Sequence, residues 1–101
     1  MNEVPNTHPD LAREQARLIV FLAYPQMGLL DLTGAQTVFW AAARYRESRG
    51  LPGYTLHTAS LASGLIQTAE GLVVDTLPLR DFADRPIDTL IAPGAPEILQ
   101  A

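Results

Sequence analysis

Apolar positions along this chain come in blocks whose period changes from one stretch to the next. The first block, "RLIVFLAYP" (Arg17 to Pro25), is a continuous apolar run rich in β-branched and aromatic residues and closed by proline. It is too short for a buried helix and is bounded by a breaker, so it predicts a strand covered on both faces, as in a parallel sheet. Further on the period becomes helical. Val38, Phe39, Ala42 and Tyr45 recur at helix spacing, Thr33 followed by Gln36 reads as a capping box, and Gly34 and Ala35 are small enough for close packing. Arg44, Arg46 and Arg49 suit the negative end of a helix dipole, and Gly50 with Pro52 supplies the stop. "YTLHTASL" (Tyr54 to Leu61) then reads as a second strand, which makes a βαβ unit.

Two short apolar runs in "GLIQTAEGLVVDTLPL" flank Ala69, Glu70 and Gly71 and predict a hairpin at the sheet edge. "LRDFADRP" predicts a short helix or turn. "IDTLIAPGA" (Ile87 to Ala95) predicts a third core-type strand ending in a Pro-Gly turn, with a helix beginning at Pro96. Residues 1 to 16 read as a flexible arm, with a helical turn at most near Pro9, and residues 17 to 101 as one α/β unit.

Composition narrows the function classes. The 101 residues are 48% hydrophobic and 18% charged, the pattern of a globular chain. Net charge is −4 with 7 Lys+Arg, scattered apart from the three arginines above, so no stripe suited to nucleic-acid phosphates forms and these residues by themselves are not expected to bind DNA. Cysteine is absent, which removes thiolate nucleophiles and ligands, and His8 and His57 lack metal-ligand spacing; neither a metal nor a cofactor is expected. The polar start carries no signal-peptide core and no apolar run reaches membrane length, so the expected location is the cytoplasm.

The chemistry that remains centres on "LLDLTGAQ", where Asp31 lies between leucines just past the first strand. Two readings stand. An acidic residue near a helix start is favoured for purely structural reasons. With Thr33 assigned the cap, however, a partly desolvated carboxylate at the carboxyl edge of an open α/β sheet also suits a pocket residue or proton carrier. The turn Pro93-Gly94-Ala95 would close the third strand at the same edge, where the Gly94 and Ala95 amides could receive an oxyanion. His57 reads as a half-buried strand residue and Trp40 as core or interface packing.

Together, "RLIVFLAYPQMGLLDLTGAQTVFW", "YTLHTASL", "GLIQTAEGLVVDTLPL" and "IDTLIAPGA" resemble the ThiJ/PfpI superfamily, the class I glutamine-amidotransferase-like fold, over Arg17 to Ala101. The segments look most like the amino-terminal domain of GlxA-type regulators of the AraC family, with isocyanide hydratase the nearest enzyme look-alike through its "LDLTG" segment. The resemblance implies a flavodoxin-like, open, mostly parallel sheet with an edge hairpin, of which this chain is the amino-terminal half. It implies a ligand-sensing domain that takes a small-molecule effector, meets DNA only through a separate carboxyl-terminal domain, and forms a homo-oligomer. In the enzymes, Asp31 would face a catalytic cysteine downstream of the "PGG" turn, where Ala95 here replaces the second glycine; a non-catalytic dimerisation module is the third implied alternative.

Overall fold

The structure, a computed structural model, describes residues 16–95. The expected turn near Pro9, the arm up to residue 15 and the helix expected from Pro96 lie outside the described residues. Five strands form one sheet: β1 (Arg17–Leu22), β2 (Tyr54–Ser60), β3 (Gly64–Gln67), β4 (Val73–Pro78) and β5 (Thr89–Ile91), in the order β3-β4-β2-β1-β5. β4, β2, β1 and β5 run parallel, and β3 pairs antiparallel with β4.

β1 sits between β2 and β5 and is covered on both faces, which is why its sequence is continuously apolar. Ile19 and Phe21 face the helix α1 (Leu29–Ser48) with Ala23, Met27, Leu32 and Ile66. Phe39 bridges the layer, edge-on to both Phe21 at 6.0 Å and Tyr54 at 5.8 Å between ring centres. Leu18 and Val20 point the other way, onto Ala59, Phe82, Leu79 and Ile87. The 3-10 turn Leu79–Phe82 provides that second layer, and His57, half-buried, lies 5.4 Å from the Phe82 ring. This face is thinly covered: Leu61 is 79% exposed and Leu90 53%.

The helix begins four residues before the expected capping box. Its N-cap is Gly28, with no side-chain cap of its own. Thr33 lies inside the first turns, its hydroxyl donating back to the Leu29 carbonyl at 3.0 Å, and Gln36 donates its side-chain amide to the Thr58 hydroxyl on β2. Neither residue caps, because the early start is held by distant parts of the chain. The buried face also differs from the expected one. Leu32, Ala35, Phe39 and Ala43 face the sheet, whereas Val38 and Tyr45 are 67% and 63% exposed. Apolar residues occupy more than one face of α1, so spacing alone could not select the inner one.

The carboxyl end follows expectation closely. The Gly50 N–H donates to Glu47 O and the Leu51 N–H to Arg46 O, the paired bonds of a Schellman motif, with Gly50 at φ +75 where a side chain would be strained. The hairpin forms as expected and meets β2 through only two paired positions, Ala59 with Leu77 and Ser60 with Pro78. A buried hydroxyl pair reinforces that junction, Ser60 Oγ and Thr76 Oγ1 lying 2.6 Å apart, while within the hairpin Thr76 donates to Gly64 O.

Candidate functional site

Strand order locates the site. From β1 the chain crosses to β2 on one side, while β5 returns to the other, so the connections leaving β1 and β5 diverge between these two neighbours. Open α/β sheets leave a crevice at such a switch point, beyond the carboxyl ends of the strands. Here it is bordered by residues 23–28, the first turn of α1 and residues 92–95.

These segments are tied together. The Gly28 N–H donates to Gly94 O at 2.9 Å, and the Tyr24 hydroxyl donates to Pro93 O. The two loops singled out from sequence therefore meet, as two parallel neighbouring strands require. Asp31 lies in the first turn of α1, and its Oδ2 leans over the loop junction: a Cβ built on Gly28 would lie 2.9 Å from it, and one built on Gly94 3.4 Å. A side chain at position 28 would compete with the Asp31 carboxylate for the same space.

Two expectations about this corner change. Asp31 is exposed, not partly desolvated, and with Thr33 not capping, it is the one acidic residue α1 itself supplies to its first turn. An exposed carboxylate in the first turn suits the positive end of the helix dipole. Gly94 is exposed and Ala95 half-buried, and neither has positive φ, so an alanine at 95 fits this backbone without strain.

The hairpin tip completes the corner, with a residue that sequence reading passed over. Glu70 Oε1 accepts the Leu29 N–H at 3.0 Å, supplying the cap that α1 lacks locally. Backbone bonds hold the tip there: Ala69 N–H to Met27 O and Gln26 N–H to Gln67 O, both 2.9 Å. Gln26 takes φ 69 to make this approach. No sequence signal marks Glu70 as a cap, since its target is 41 residues away; Tyr24, likewise missed, could have been suspected only as a polar-tipped aromatic at a strand end.

A small pocket of about 150 Å³ opens beside this corner at the ends of β1 and β2, lined mainly by Leu22, Ala23, Tyr24, Ser60 and Ile66. Trp40 is 58% exposed on a separate groove with Gln36 and Thr58, so it is not core. Among the described residues no group of three or more His, Cys, Asp or Glu could hold a metal ion, and no helix is long and apolar enough to cross a membrane.

The architecture is an open, mostly parallel α/β sheet with an antiparallel edge hairpin, consistent with part of a flavodoxin-like fold. Comparison with solved structures finds the same fold in other proteins. The chain matches the crystal structure of an AraC family transcriptional regulator from Pseudomonas putida with a TM-score of 0.66 and 19% identity, over 78% of this chain and 47% of that one. It also matches a ThiJ/PfpI family protein from Pseudomonas syringae with a TM-score of 0.61 and 19% identity, over 94% of this chain and 36% of that one. The chain therefore spans about half of the first and about a third of the second. No protein-family model matches the sequence, and no curated protein does either.

Proposed function

We propose that these residues are the amino-terminal half of a ThiJ/PfpI-like ligand-sensing domain of a GlxA-type AraC-family transcriptional regulator, with the effector received at the β1/β5 switch point. The observation that carries this reading is the Asp31 carboxylate lying over Gly28 and Gly94 where the two loops join. An exposed carboxylate there offers an acceptor to a small molecule entering the crevice. The likeness to an AraC family regulator supports the regulatory setting. In this reading the domain works in the cytoplasm as a homo-oligomer and reaches DNA only through another domain.

The likeness to a ThiJ/PfpI family protein supports an enzymatic second reading, a hydratase or hydrolase in which Asp31 relays a proton and the Gly94 and Ala95 amides hold an oxyanion. It needs a nucleophile that these residues, with no cysteine, do not supply.

Thermal-shift screening of the full-length protein against small metabolites tests the sensing reading. A stabilising compound is expected, and Asp31→Asn should lose that shift while keeping the ligand-free melting temperature. An equal shift in the variant overturns the assignment of Asp31, and turnover of a stabilising compound would favour the enzyme.

A further inference from the structure

The amino end of α1 carries two helix starts in one sequence. The start in use is Gly28, which has no cap of its own and borrows the Glu70 carboxylate from the hairpin tip. The other is Thr33, which with Gln36 spells a complete local capping box but does not cap here, Thr33 donating to the Leu29 carbonyl and Gln36 to the Thr58 hydroxyl. Residues 29–32 separate the two starts, and Asp31 is among them.

We propose that Glu70 is a positioning residue for Asp31: by capping α1 from the hairpin it selects the Gly28 start, and its release lets the helix restart at Thr33 and withdraws Asp31 from the crevice. Beyond Glu70, the Gly28 to Gly94 bond and the burial of Leu32, little holds the first turn. Gly34 lowers helix propensity next to it, Leu30 is 75% exposed, and Leu32 alone of residues 29–32 is buried. At a Thr33 start Leu32 would become the residue preceding the cap, a position that tolerates burial, so the core need not open. Such a pair of starts is a discrete two-state element, the physical requirement for one part of a fold to act on another. The hairpin is suited to be the moving part at its tip, since its ladder to β2 has only two paired positions and one hydroxyl contact, Ser60 with Thr76, while Ile66 and Val74 anchor its strands in the core.

The proposal rests on the reading of Asp31 as a ligand-facing group, but its test needs no ligand. Amide hydrogen exchange on the full chain should show Glu70→Ala accelerating the amides of Leu29 and Leu32 roughly five- to tenfold, the scale of a lost cap, while those of residues 39–48 stay protected. Glu70→Gln, which keeps an acceptor, should restore most of the protection. Thr33→Val separates a switch from simple fraying. In the wild-type background it should change little, because Thr33 does not cap; in the Glu70→Ala background it should extend fast exchange into residues 36–38, because the fallback cap is gone. Equal Thr33→Val effects in both backgrounds, or unchanged Leu29 exchange in Glu70→Ala, would overturn the proposal. If exchange behaves as expected while Asp31→Asn leaves the ligand-induced thermal shift intact, the two helix starts stand and the ligand reading fails; the reverse result condemns the switch alone.

Discussion

Gly28→Ala is a small perturbation aimed at the junction of the two loops. Gly28 has φ −77 and ψ 125, an ordinary extended conformation for any L-residue, so the substitution brings no backbone strain. The added methyl would meet Asp31 Oδ2 at 2.9 Å and Gly94 O at 3.4 Å, against ordinary contact distances of 3.4 Å and above. The carbonyl contact is tolerable; the carboxylate must retreat by about 0.5 Å or more. Because Asp31 is exposed, it can do so by changing rotamer, at about 0.5–1.5 kcal/mol. The lost chain entropy of the unfolded glycine offsets about 0.4–1 kcal/mol of that. Net stability should therefore change by less than about 1 kcal/mol, while Asp31 is displaced from Gly94. Urea unfolding gives the first quantity, and the carboxyl carbon shift of Asp31 in 13C NMR gives the second. A loss above about 2 kcal/mol would mean that the backbone moved instead, breaking the Gly28 to Gly94 bond. An unchanged Asp31 signal would show that the carboxylate does not occupy that space.

Three further outcomes are expected. Phe82→Ala should cost about 3 kcal/mol in denaturant unfolding, since this side chain is 2% exposed and is the main cover of β1 and His57 on the second face; a loss under about 1 kcal/mol would show that the face collapses freely. Gly34→Ala should stabilise by about 0.5–1 kcal/mol in thermal melts, because a methyl there meets nothing within 4 Å in a helical backbone. The chain by itself should show no salt-sensitive affinity for DNA in fluorescence anisotropy at low salt, given its net charge of −4 and its dispersed arginines.

What could be read from sequence was what neighbouring residues decide. The apolar block at Arg17, the arginines with Gly50, and the turn at Ala69 to Gly71 each carry their instruction within a few residues, and strand, helix end and hairpin follow. Convergence of Asp31 with Gly94 was also legible, because two parallel strands side by side must bring their exits to one edge. The helix start was not. Thr33 and Gln36 form a valid local signal, overruled by Glu70 and by the burial of Leu32, and neither influence is visible within the window where caps are recognised. The inner face of α1 was hidden for a related reason: Val38 and Tyr45, like Phe39, carry large apolar surface at helical spacing, and the position of the sheet decides which is covered.

The order of strands across the sheet also sets a timetable. During synthesis β1, α1 and β2 can associate as soon as residue 60 has emerged, and the hairpin can follow on β2. β5 pairs with β1 across nearly the whole described length, so it arrives last, and with it Pro93 and Gly94. Until then the amide of Gly28 and the hydroxyl of Tyr24 have only water to bond. Among the described strands, the corner that holds Asp31 is thus the last to be completed, and a nascent chain paused before residue 90 would already own its helix and hairpin while its crevice had only one wall.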